Sequence, residues 1–182
     1  TLIGRAKEVA TLADNINKKK SNLLSVVAPG GTGKTALVLD VLKHVSNNPA
    51  GFPEFDAICF LTAKTEELTV EGVKPRQSPI ETFAGVESAL MEELSVLLEI
   101  SAGENYRDFL DQVAHTKVLL CVDNLETLPL NNPSVFDSFF DQLPDEWKLI
   151  VTSRVQIDSA KAVRLEPLST NGAQTLADKY YN

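Results

Sequence analysis

The chain has 182 residues, of which 43% are hydrophobic and 23% charged, ordinary values for one globular domain or a domain with a small appendage. A net charge of −8 and a sequence pI near 4.8 argue against a phosphate-backbone surface spread over it, so nucleic acid is not expected as a partner of this domain. No apolar stretch reaches membrane-spanning length and the opening TLIGRAKEVA lacks the apolar core of a signal peptide, which makes a cytoplasmic protein without a membrane partner the expectation.

Strand and helix signals alternate along the chain, the pattern of an α/β protein built on a parallel sheet. The spacing predicts a helix over 5–18, with the basic run Lys18-Lys19-Lys20 as its solvated C-terminal end, a strand over 23–27 and a helix over 34–45. A loop at 47–51 precedes a strand over 57–62, and the polar stretch 64–79, with Pro75 and Pro79, reads as a long surface loop or a small hairpin. Over 80–99, Phe83, Val86, Leu90, Leu94, Leu97 and Leu98 recur every three or four residues, an amphipathic helix whose stripe belongs to the core. A short helix over 106–114, a strand over 118–122, a helix over 134–142 and strands over 149–152 and 162–165 follow. The segment 169–180, opened by Ser169 as a helix cap, reads as a last helix. Cys59 and Cys121 fall within strands and read as buried free thiols in preference to a disulfide. His44 and His115 sit at helix ends with no cysteine or aspartate cluster beside them, so no zinc site is expected.

The segment LLSVVAPGGTGKT at 23–35 carries the most specific signal. A strand runs into a glycine-rich turn where Gly30, Gly31 and Gly33 let backbone N–H groups close around an anion, and the next helix adds its positive N-terminal end. Pro29, Gly30, Gly31, Thr32, Gly33, Lys34, Thr35 and Ala36 make up the binding loop. Lys34 is placed to reach β- and γ-phosphates and Thr35 to offer its hydroxyl to Mg²⁺. The phosphate-loop pattern's first glycine is Ala28 here, which the turn tolerates if that position needs no positive φ.

The run VLLCVDNLE places Asp123 at the end of an apolar strand, where a carboxylate holds Mg²⁺ through its water shell. Asn124, an amide, follows in the position of a second acid and cannot act as a base, so hydrolysis is expected to be slow. Glu126 is the nearest carboxylate, readable as the group that orients the attacking water or as a solvated loop acid. KLIVTSR ends in Arg154, whose fork suits a γ-phosphate oxygen at the C-terminal edge of the sheet, with a surface ion pair as the other reading. Lys34, Asp123, Glu126 and Arg154 are therefore the candidate catalytic residues, and Thr35 and Asp123 the metal ligands.

With these residues assembled, the chain resembles the STAND class of signalling NTPases, which contains the NB-ARC and NACHT modules. Leu2-Ile3-Gly4-Arg5 followed by Glu8 resembles the class's opening motif, APGGTGKT its Walker A, LLCVDNLE its Walker B, LIVTSR its strand ending in a sensor arginine, and RLEPLSTNGAQTL its exit into a small helical domain. The resemblance implies a three-layer α/β/α P-loop NTPase with a five-stranded parallel sheet in the order 5-1-4-3-2. It also implies a nucleotide domain at 1–168 and the start of a truncated helical domain at 169–182. Adenine would lie at the backbone near Ile3 and Gly4, with Arg5 by the nucleotide. The implied function is an ATP/ADP switch with Mg²⁺ as cofactor, slow hydrolysis and nucleotide-dependent homo-oligomers, working with helical, winged-helix, sensor and effector regions outside this sequence. The competing readings are a DNA-associated ATPase of the origin-recognition or AAA+ loader type and a nucleotide-binding scaffold without catalysis. A GTPase is disfavoured because neither Asn-Lys-x-Asp nor Thr-Lys-x-Asp occurs.

Overall fold

The computed structural model describes residues 2–64, 66–69, 72–75, 80–128 and 133–168. In chain order the elements are α1 (Ala6–Ile16), β1 (Leu23–Val27), α2 (Lys34–Asn47), β2 (Ala57–Thr62), β3 (Glu66–Thr69), β4 (Gly72–Pro75), α3 (Phe83–Leu97), α4 (Tyr106–Gln112), β5 (Val118–Asp123), α5 (Pro133–Gln142), β6 (Lys148–Ser153) and β7 (Lys161–Arg164). Five strands form one parallel sheet in the order β2-β5-β6-β1-β7. Numbered within that sheet alone, the order is the expected 5-1-4-3-2 read from the opposite edge. β3 and β4 form a separate antiparallel pair, so the polar stretch after Lys64 contains the hairpin.

Sequence periodicity explains the layering. The central strands β5 and β6 are buried along their whole length, as continuous apolar runs in a sheet covered on both faces must be. Edge strand β2 alternates buried and half-buried residues. On one face, Leu120, Val122, Leu149 and Val151 pack in a cluster with Phe83, Val86, Leu90 and Leu94 of α3, Phe109 of α4 and Phe136 and Phe139 of α5. On the other, Leu24, Val26, Leu119, Cys121 and Ile150 pack with Leu12 and Ile16 of α1 and Leu37, Val38 and Val41 of α2. Each Leu or Ile fully buried there stabilises the fold by about 1.5–3 kcal/mol. The two cysteines are free and buried, and they belong to opposite clusters, so the sheet separates them. Burial, with Glu93 adding, pushes the Cys59 thiol up to about 12, and burial, with Asp123 and Cys59 adding, raises the Cys121 thiol well above its ordinary value.

Three local expectations are corrected. α1 ends at Ile16 with Asn17 as its cap, so Lys18-Lys19-Lys20 lie past the helix and not in its last turn. There the carbonyls of Lys18 and Ser21 accept hydrogen bonds from Lys148 Nζ at 2.8 and 3.0 Å, a use of the backbone that a continued helix would forbid. α3 begins at Phe83 and not at residue 80, because extended Thr82 caps it, its hydroxyl accepting from the Gly85 N–H at 3.0 Å. Leu97 is 43% exposed, since the helix ends there and the apolar stripe leaves the core, while Leu98 packs against it from beyond the helix. The helix expected at 169–180, and with it the second domain, lies outside the described residues.

Candidate functional site

The C-terminal ends of β1, β5 and β6 bring together the phosphate loop, Asp123, Glu126 and Arg154, residues that the sequence singled out. β1 passes into Ala28, which is buried and donates its N–H to the Ser153 carbonyl at 3.3 Å, extending the pairing with β6 by one step. Ala28 has no positive φ, so alanine is compatible with the position that the pattern gives to glycine. Gly31 and Gly33 do adopt left-handed backbone, at φ 76° and 88°, which a side chain would strain. Gly33 caps α2, whose first turn carries neither a side-chain cap nor an acidic residue, so its N–H groups and dipole face the loop. The Thr32 hydroxyl donates to the Pro29 carbonyl at 2.7 Å and tightens the turn. Lys34 is buried, its ammonium donating to the carbonyls of Ala28 at 2.8 Å and Pro29 at 3.3 Å. A pocket of about 350 Å³ is lined by residues 30–36 together with Lys64, Asn124, Glu126 and Arg154.

Asp123 is the centre of the site. It is 1% exposed, a burial that an ionised carboxylate sustains when its oxygens are occupied. Oδ1 accepts from Thr35 Oγ1 at 2.8 Å and Thr152 Oγ1 at 2.7 Å; Oδ2 accepts from Thr62 Oγ1 at 3.1 Å and stands 3.5 Å from Lys64 Nζ. The carboxylate therefore joins α2, β2 and β6 to its own strand β5. Thr62, Lys64 and Thr152 were not singled out in the sequence. The available signal was their place, each at or just past the C-terminal end of a strand, where the ligand crevice of a parallel sheet lies.

Asn124 has left-handed backbone, φ 67°, a conformation that asparagine tolerates better than most side chains, and its N–H donates to Thr152 Oγ1 at 2.8 Å. The residue in the place of a second acid is thus also fitted to a sharp turn out of β5. Two residues on, Glu126 is 14% exposed and pairs with Arg154, Nε to Oε1 at 3.0 Å. The Arg154 side chain is 62% exposed and lies over the loop at Gly30, where an added Cβ would meet its Cζ at 3.2 Å. Gly30 gives the guanidinium its place, and Arg154 and Glu126 form an ion pair at the rim of the phosphate loop.

Arg5 caps α1 and is buried. Its guanidinium donates to the carbonyls of Glu166 at 2.7 Å and Thr32 at 3.1 Å, and to Glu8 Oε1 at 3.0 Å. It acts on the backbone of the phosphate loop. Ile3 is half-buried and Gly4, at φ 71°, makes the turn into Arg5.

These residues fit a nucleotide's phosphates: left-handed glycines at an uncapped helix start, with Lys34 inside the loop, form an anion cradle. The Thr35 hydroxyl and the Asp123 carboxylate, 2.8 Å apart, are the oxygen donors that a hard divalent ion takes.

No known family profile matches the chain, and no curated protein matches it. Solved structures do. The Orc1 protein of Aeropyrum pernix, in complex with DNA, superposes with a TM-score of 0.67 at 16% identity, over 98% of this chain and 49% of that one. Domain III of the Thermotoga maritima replication initiation protein DnaA gives 0.57 at 17% identity, over 97% and 68%. Drosophila ORC bound to DNA gives 0.57 at 13% identity, over 91% and 43%. The chain thus spans about half the length of the Orc1 chain it matches. At such identities the likeness speaks for the fold alone, and with the five-stranded parallel order it shows that the chain has the α/β fold of a P-loop NTPase.

Proposed function

We propose that the chain is the ATP/ADP-binding switch module of a STAND-type signalling or defence protein, with slow Mg²⁺-dependent hydrolysis and nucleotide-controlled self-assembly. The observation that carries this reading is the convergence of the glycine cradle, Lys34, Thr35, Asp123 and the Arg154–Glu126 pair around one pocket, with an amide in the place of a second acid. Thr35 and Asp123 would hold Mg²⁺, whose charge would offset that of the phosphates. Arg154 is the γ-phosphate sensor, and Glu126, largely buried, is the carboxylate available to orient water. A γ-phosphate at the loop competes with Glu126 for the Arg154 guanidinium, so ATP and ADP leave that ion pair in different states. This differential contact is what a population shift requires.

Mass spectrometry of nucleotide released from the purified protein on denaturation tests the reading. ADP supports a closed, slowly exchanging switch. No nucleotide, and no later binding of ATP with Mg²⁺, overturns it. The second reading, a DNA-associated ATPase, is favoured by the Orc1 and Drosophila ORC structures, both of them with DNA. The net charge of −8 weighs against DNA binding by this domain itself. Fluorescence anisotropy with labelled duplex DNA at moderate salt separates the two, with no binding expected; saturable binding in the presence of ATP would favour the second.

A further inference from the structure

Lys64 lies just past β2 and faces the groups that would hold a metal. Its ammonium donates to Thr35 Oγ1 at 2.8 Å and stands 3.5 Å from Asp123 Oδ2, while its backbone N–H donates to Thr62 Oγ1 at 3.3 Å, fixing its backbone at the rim of the pocket. The side chain is 42% exposed, so the charge sits at the open side of the site and the flexible stem is free to withdraw. The Thr35 hydroxyl spends its proton on Asp123 and accepts the Lys64 proton on a lone pair. The two oxygens that suit a divalent ion are thus already in contact with a cation that the chain supplies.

We propose that Lys64 is a tethered cation of the phosphate site, which provides from the protein part of the charge that a divalent ion would give a bound nucleoside diphosphate. The inference rests on the phosphate-loop reading above. It gives the site two regimes. With Lys64 in place, a diphosphate is held by Lys34, the loop N–H groups and Lys64, and needs little metal. Entry of a divalent ion beside Thr35 requires the ammonium to leave the hydroxyl, so metal and Lys64 exclude each other there.

The test is ADP affinity by isothermal titration in excess EDTA and in Mg²⁺, for the wild type, Lys64→Met and Lys64→Gln. The wild type is expected to bind in EDTA within about threefold of its affinity in Mg²⁺, and both variants to lose about ten- to a hundredfold in EDTA, the worth of one charged hydrogen bond, with little loss in Mg²⁺. Variants that bind in EDTA as tightly as the wild type would overturn the role of Lys64. So would a wild type that loses more than about thirtyfold on metal removal, the middle of that same range. A wild type that binds ADP in neither buffer would overturn the phosphate-site reading itself, a distinct failure. Two variants of different polarity keep the comparison valid if one of them folds poorly.

Discussion

Thr152→Val is the substitution that most sharply examines how the site is built. Thr152 is fully buried; its hydroxyl donates to Asp123 Oδ1 at 2.7 Å and accepts from the Asn124 N–H at 2.8 Å. Valine keeps the shape and removes both bonds. A hydrogen bond to a charged acceptor is worth about 1.5–3 kcal/mol, and the Asn124 N–H, half-buried at the pocket, costs at most about 1–3 kcal/mol when left without its partner. Asp123 keeps Thr35, Thr62 and Lys64, and the new methyl returns up to about 0.8 kcal/mol of burial. A net loss of about 3 kcal/mol is expected, read as a lower urea midpoint with unchanged slope, or as a fall in Tm of about 2–4 °C per kcal/mol. Thr152→Ser retains the hydroxyl and gives up one methyl, so it should cost about 1 kcal/mol. If Thr152→Val stays within about 0.5 kcal/mol of the wild type, or Thr152→Ser is equally costly, the hydroxyl is not what holds the turn out of β5.

Lys34→Ala should abolish nucleotide binding by isothermal titration while leaving the fold intact by circular dichroism; full retained affinity would show that the loop is not used as described. Gly33→Ala meets no atom within 4 Å, yet it places a Cβ at φ 88°, so a loss of about 1–2 kcal/mol is expected in urea unfolding and comes from backbone strain alone. Cys59, buried and pushed up to about 12, should resist thiol reagents until the protein unfolds. The same raised value fixes a pH dependence: above the ordinary value of 9.0 the unfolded thiol loses its proton while the native one keeps it, so stability falls as pH rises from there. Cys59→Ala should flatten that alkaline decline in urea midpoints, and an unchanged slope would assign it to other groups.

The central fold was legible because its strands are the continuous apolar runs that a doubly covered sheet demands; β1 and β2 were expected at the residues where they occur. The phosphate loop was legible for a different reason: its glycines and lysine have few other uses in that order. What the sequence hid was pairing across the sheet. Nothing local distinguishes Thr62 or Thr152 from any other strand threonine until parallel register brings Thr62 opposite Asp123 and Val122 opposite Val151. Lys64 was invisible as a site residue because it opened a polar stretch. Asn124 was read for the base that it is not, whereas its left-handed backbone also explains an asparagine there.

Arg5 has a consequence for how the chain folds. Its bond to the Glu166 carbonyl spans a sequence separation of 161, and the same guanidinium holds the phosphate loop at Thr32. A contact of such long range forms after the sheet has brought its distant strands side by side. The residue that holds the phosphate loop at Thr32 therefore also ties it to the chain beyond β7. Refolding should recover the sheet before it recovers the ability to grip an anion.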